Sequence, residues 1–230
     1  MFVLLLGFSG AGATHIQGGY IRVTPVAGQA LTYTITALIY TEPTLPASRD
    51  MNSIPICLGD GTSRIVNQKS QSVIGTGGRL AASVYETTYT YAGAGTYRIT
   101  VSLANRSVLL NGPADADQAL FTVATTFTIS NTGSNNTPLP VAPETNFVVT
   151  VNQRATLSLR AIDPEGDSLV YRLATPMTAA NATPCSGSTL SRYSYPNDVA
   201  RQGTFTLNGR TGELIWFAPV REGRYNVAIY

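Results

Sequence analysis

Leu31-Thr32-Tyr33-Thr34-Ile35-Thr36-Ala37-Leu38-Ile39 decides the fold class. Leu31, Tyr33, Ile35, Ala37 and Ile39 fall on one side of an extended chain, with Thr32, Thr34 and Thr36 on the other. That is the two-residue period of a half-buried strand. β-Branched and aromatic residues suit such a pleated surface better than a helix. The period recurs further along. Tyr97, Ile99, Val101 and Leu103 alternate with Thr96, Arg98, Thr100 and Ser102. Phe121, Val123, Phe127 and Ile129 repeat the pattern, and Tyr85, Thr87, Tyr89 and Tyr91 give an aromatic version. No stretch combines a helical apolar stripe with helix caps. The expected fold class is all-β.

Charged residues make up 12% of the 230, about half the share usual in soluble domains. Thr, Ser, Asn and Gln supply the polar faces instead. The net charge is +2, with Lys and Arg scattered. This gives no basic footprint for nucleic acid and no polybasic patch for a membrane surface. No apolar run approaches the ~20 residues of a membrane-spanning helix.

Met-Phe-Val-Leu-Leu-Leu-Gly-Phe opens the chain, followed by small residues. Residues 1–13 therefore read as a signal peptide, with Ala11-Gly12-Ala13 as its cleavage site. The basic segment that normally precedes the apolar run is missing, which places the expected true start upstream. A buried first strand is the alternative. Cys57 and Cys185 fit an oxidising compartment; whether they pair with each other, stay free or pair externally is open at this stage. There is no CxxC or Cys/His cluster of the zinc type. The alternating pattern is still running at Arg224–Tyr230, so the chain reads as a piece of a longer one.

Asn131 to Pro143 carries turn formers and four prolines or glycines without periodicity, the mark of a linker. Residues 14–130 and 144–230 then form two units, with roughly seven and six strand candidates respectively. The second set is Asn146–Val151, Ala155–Ala161, Ser168–Leu173, Gly203–Leu207, Glu213–Phe217 and Arg224–Tyr230. Thr175–Val199, with Pro176, Pro184 and Pro196, reads as one long irregular loop.

In the first unit, Gly59-Asp60-Gly61-Thr62 precedes Thr88-Tyr89-Thr90-Tyr91 and then Gly95-Thr96-Tyr97-Arg98-Ile99-Thr100-Val101. This resembles PKD-like domains, although Ile56-Cys57-Leu58 stands where that family has a Trp. In the second, Asp163-Pro164-Glu165-Gly166-Asp167-Ser168-Leu169-Val170-Tyr171 is followed by Phe205-Thr206-Leu207 and Thr211-Gly212-Glu213-Leu214-Ile215-Trp216. That order is similar to the cadherin-like and Ig-like repeats of large bacterial adhesins. With Thr14-His15-Ile16-Gln17-Gly18-Gly19, the whole resembles secreted bacterial proteins associated with gliding motility, which usually carry a type IX secretion sorting domain. The resemblance implies two tandem Ig-like β-sandwiches, PKD-like then cadherin-like, in a secreted or cell-surface protein.

Asp163, Glu165 and Asp167 are the candidate metal ligands. Carboxylates two residues apart can converge on Ca²⁺, which takes six to eight oxygens. A solvated Asx turn is the competing reading. No other cofactor is expected. Asp60 is accounted for by its hairpin turn, and Asp115 and Asp117 by an exposed loop. His15 is the only histidine, which leaves little room for Ser-His or Cys-His chemistry. Trp216 alternates with Leu214 as a core residue would, and Tyr193-Ser194-Tyr195 is the better exposed aromatic pair. The expected role is non-catalytic: structural and adhesion modules whose partners are other domains of the same protein and a surface polysaccharide or protein. A carbohydrate-binding region of an extracellular hydrolase and a subunit of a surface filament are the alternatives.

Overall fold

Seven long strands occupy the first half, where the alternation demands them. They are β1 (Ile16–Pro25), β2 (Thr32–Thr41), β3 (Ser53–Cys57), β4 (Ser63–Ile74), β5 (Leu80–Thr90), β6 (Gly95–Leu103) and β7 (Phe121–Ile129). The computed structural model describes residues 16–42, 51–74, 80–130, 135–141 and 148–230. The expected signal peptide and His15 lie outside them, as does part of the expected linker. Among the described residues there is no α-helix, only a 3-10 turn at Ala116–Gln118.

The strands form one antiparallel series, β1-β2-β5-β4-β3-β6-β7, folded on itself at β4. Ser63–Asn67 of that strand pair with β3, while Gln68–Ile74 pair with β5 across a register shift between Gln68 and Ser70. An extra residue at such a bulge bends and twists the strand, so one strand serves two layers. Val23, Tyr33, Ile35, Ala37, Ile39 and Tyr85 come inward from one layer. Ile54, Ile56, Ile99, Val101, Phe121, Phe127 and Ile129 meet them from the other. This β-sandwich-like core holds nineteen buried residues in one cluster, each large aliphatic contributing roughly 1.5–3 kcal/mol of transfer free energy. Two buried tyrosine hydroxyls are satisfied at the rim: Tyr85 donates to Met51 O at 2.6 Å and Tyr91 to Leu58 O at 3.0 Å.

The β3–β4 turn follows its sequence closely. Leu58 N–H donates to Thr62 O at 2.9 Å, closing a loop in which Gly59 has φ +87°. A Cβ on Gly59 would stand 2.6 Å from Arg98 N, so this glycine answers both to its backbone conformation and to the approach of β6. Asp60 accepts from Thr62 N–H at 3.0 Å, from the Thr62 hydroxyl at 2.6 Å and from the Tyr89 hydroxyl.

The second half is built differently. Its strands are β8 (Leu139–Pro140), β9 (Ala155–Ser158), β10 (Ala161–Ile162), β11 (Leu173–Ala174), β12 (Met177–Ala180), β13 (Thr183–Thr189), β14 (Thr204–Leu207), β15 (Glu213–Phe217) and β16 (Ala228–Ile229). A three-stranded sheet, β14-β15-β9, accompanies the pairs β10-β8 and β11-β16. The expected strands at 203–207 and 213–217 are present. Ser168–Leu173 and Arg224–Tyr230 shrink to two-residue contacts, and the described part of Asn146–Val151 forms no strand. Trp216 is buried, with Phe205 and Tyr225 edge-on to its ring at 5.8 and 4.8 Å.

Thr175–Val199 is not an irregular loop. It carries the β12–β13 hairpin, and β12 joins β7 at Met177↔Thr122, extending the first half's sheet to nine strands. The hairpin lies over the outer side of β6 and β7. Thr100, Ser102 and Thr122 face away from the core, yet they are 1%, 7% and 4% exposed. Outward Thr and Ser on a half-buried strand ordinarily meet solvent; here they meet a polar partner instead. The Ser102 hydroxyl donates to Pro184 O at 2.6 Å.

Candidate functional site

Two places on the molecule bring functional side chains together: the seam between the halves and a cleft around the Asp163 turn.

At the seam, Cys57 on β3 and Cys185 on β13 form a disulfide, with Cα atoms 5.6 Å apart and 128 residues of sequence between them. Cys57 is buried and Cys185 exposed. Arg106 is 4% exposed. Its guanidinium donates to Leu120 O at 3.0 Å and to Met177 O, and lies 5.6 Å from the Phe121 ring centroid. Burial pushes its pKa down to about 10, which leaves it charged at neutral pH and held by carbonyl dipoles. The Thr178 hydroxyl donates to Leu120 O at 3.0 Å. Further on, Asn111 acts as a strand mimic. Its Oδ1 accepts from Asn226 N–H at 2.8 Å and its Nδ2 donates to Asn226 O at 2.7 Å. Leu110 N–H donates to Arg224 O at 2.9 Å. Exposed ion pairs Arg192–Asp115 and Arg224–Glu42 flank these contacts; the Arg192 hydrogen bonds hold the Asp115 carboxyl below the usual range. The Asp117 side chain lies outside the described residues.

The second place is a cleft of about 490 Å³ where the Asp163 turn faces the β14–β15 turn. Asp163 Oδ1 accepts from Glu165 N–H at 3.0 Å and from Asp167 N–H at 3.1 Å, the Asx turn that Pro164 and Gly166 favour. Glu165 Oε1 turns aside to accept from Asn136 N–H at 3.2 Å and from its amide. Asp163 and Asp167 line the cleft; Glu165 does not. Among the described residues no group of three His, Cys, Asp or Glu side chains is placed to hold a metal ion. Opposite, Asn208 Oδ1 accepts from Arg210 N–H at 2.9 Å and Thr211 N–H at 3.2 Å. Gly212 O accepts from Leu159 N–H at 2.9 Å and Gly209 O from Tyr171 N–H at 2.8 Å, tying the β14–β15 turn to the chain on either side of the Asp163 turn. Arg160, Ile162, Leu169, Tyr171 and Arg210 also line it. The Tyr171 hydroxyl is spent on the backbone of Ala161, accepting from its N–H at 2.9 Å and donating to its carbonyl at 3.2 Å.

Arg160, Tyr171 and Arg210 were not among the candidates from sequence. The Thr-Gly turn at 211–212 was readable as a hairpin, but not as the wall facing Asp163. Asp60 holds a turn, as expected: burial pushes its carboxyl up, and the Thr62 and Tyr89 hydrogen bonds outweigh that and hold it below the usual range. Tyr193 is no exposed platform. Burial raises its hydroxyl pKa, and the hydroxyl donates to Asn226 O at 3.0 Å. No helix among the described residues is long and apolar enough to cross a membrane. Comparison with family models, curated proteins and solved structures gives no match.

Proposed function

We propose that this chain is a non-catalytic structural and adhesion module of a larger secreted or cell-surface protein. Its two sequence units are read as Ig-like sandwiches, the second lending a hairpin to the first. The observation that carries the proposal is the seam. A hairpin from the second unit continues the sheet of the first and is fixed there by Cys57–Cys185, which closes a loop spanning 128 residues. A cross-link of that span is kept in oxidising surroundings, and it prevents the units from separating under load. The extracellular address, the relation to gliding-associated surface proteins and the partners (other domains of the same protein, and a surface polysaccharide or protein) follow from this reading together with the sequence resemblance.

Proteolysis tests it. A stiff spacer, while oxidised, resists a broad-specificity protease as a single fragment containing both halves. After reduction the second half is cleaved first. Equal and rapid digestion in both states rules out the spacer role, and turnover of glycoside or peptide substrates by the oxidised chain rules out the non-catalytic one.

A further inference from the structure

The 490 Å³ cleft between the Asp163 turn and the Asn208–Gly212 turn combines four chemistries that one ligand class satisfies. Arg160 and Arg210 are both among its lining residues, and the side chain of neither forms an ion pair or hydrogen bond with any described residue. The ion pairs among those residues lie elsewhere, at Lys69–Glu86, Arg192–Asp115 and Arg224–Glu42. Both turns are fixed by their own Asx bonds and tied through Leu159–Gly212 and Tyr171–Gly209, so the backbone is set in advance and only the two arginine side chains remain for a ligand to order.

The mixture of charges selects among ligands. A bare cation would meet two guanidiniums. A simple anion such as phosphate would meet the Asp163 and Asp167 carboxylates, which can only accept hydrogen bonds when ionised. A molecule with a carboxylate for the arginine fork and hydroxyls for the aspartates satisfies both sets at once. Leu169, Ile162 and the Tyr171 ring supply an apolar wall for the C–H face of a sugar. Tyr171 offers no free hydroxyl, and the site needs none.

We infer that this cleft binds a uronic-acid sugar unit, making an acidic polysaccharide the ligand of the adhesion module. The inference rests on the adhesion reading but has its own readout. Titration of the whole oxidised chain with a short oligouronate, followed by calorimetry, is expected to show saturable binding. A neutral glucan of equal length and inorganic phosphate are expected to bind at least about tenfold more weakly. Arg160→Gln and Arg210→Gln should each cost about tenfold in affinity without changing the melting temperature, and Arg210→Lys should recover only part, because it keeps the charge and loses the fork. Equal binding of the neutral glucan, indifference to both arginine substitutions, or no uptake of oligouronate would each overturn the assignment. A chain that fails here but stays protease-resistant when oxidised loses its ligand class and keeps its spacer role.

Discussion

The two halves of this molecule are stabilised by different means. The first buries nineteen residues in one cluster between two β layers. Among its described residues, the only apolar side chains that the second buries are Tyr171, Ala179, Leu190, Leu214 and Trp216, with Pro176, Pro196 and Pro219. Val148, Ile162, Val170 and Phe217 remain exposed. A core of that size does little against the conformational entropy of some eighty residues. The second half therefore depends on what ties it to the first: a disulfide, a buried arginine on backbone carbonyls, and an asparagine pairing like a strand. Its order is borrowed, and each borrowed contact can be withdrawn separately.

Withdrawing the disulfide has the largest expected effect. Closing a loop of 128 residues contributes about 5 kcal/mol on the chain-entropy account. Cys57→Ala with Cys185→Ala should lower the stability measured by urea unfolding by close to that amount. Amide exchange should accelerate first across β12 and β13. A loss below about 1 kcal/mol would mean that Arg106 and the Ser102–Pro184 bond hold the hairpin unaided, and the comparison would lose its main support.

Core truncations sharpen the contrast. Ile99→Ala and Trp216→Ala should each cost about 3–4 kcal/mol, but in different places. The first should raise amide exchange throughout the sandwich. The second should loosen 204–217 and 224–230 while residues 97–103 stay protected. If both variants move all amides together, the halves are one cooperative unit and the distinction is wrong.

Those outcomes bear on how much was legible in sequence. Alternation along β2, β6 and β7 placed the sandwich and its inward residues, because a half-buried strand writes its environment into every second position. The second half resisted the same reading. A segment whose order comes from distant partners carries short, broken periods, as in Ser168–Leu173. The hairpin at 177–189 was hidden by Pro176 and Pro184 and by polar residues on both sides, since the surface it covers is itself polar. Thr100, Ser102 and Thr122 carry no mark in sequence of the hairpin that covers them. Around the candidate site, Asp163 and Asp167 stood out by spacing. Arg160 and Arg210 lie fifty residues apart in sequence, and only the tie between two turns brings them to one cleft.

Asn111 offers a smaller break. Asn111→Ala removes both bonds to the Asn226 backbone and leaves Tyr193 alone on its carbonyl. A cost of about 2 kcal/mol is expected, read by urea unfolding, with exchange at 224–226 rising and β5 unaffected. An unchanged exchange rate there would show that Leu110–Arg224 carries the contact alone.

The two acidic turns, one in each half, allow the finest comparison. Asp60 has a folded pKa below its ordinary value because Thr62 and Tyr89 hydrogen-bond its carboxylate against the cost of burial. Its stabilisation is present above the unfolded carboxylate pKa of about 3.9 and is lost as pH falls through the lower folded value. Asp60→Asn should therefore lower stability at neutral pH and flatten the acid limb of the stability curve, the two proteins converging as pH falls well below about 4. At Asp163 the analogous probe is calcium. One carboxylate oxygen is occupied by Glu165 and Asp167 N–H, Glu165 is turned to Asn136, and two arginines share the cleft. Millimolar CaCl₂ against EDTA is thus expected to move the melting temperature by less than about 1 °C, in contrast to the several-kcal/mol linkage of a well-formed site. A clear rise, abolished by Asp163→Ala with Asp167→Ala, would make the turn a cation site, remove the sugar-acid assignment, and give the second half a source of stability of its own.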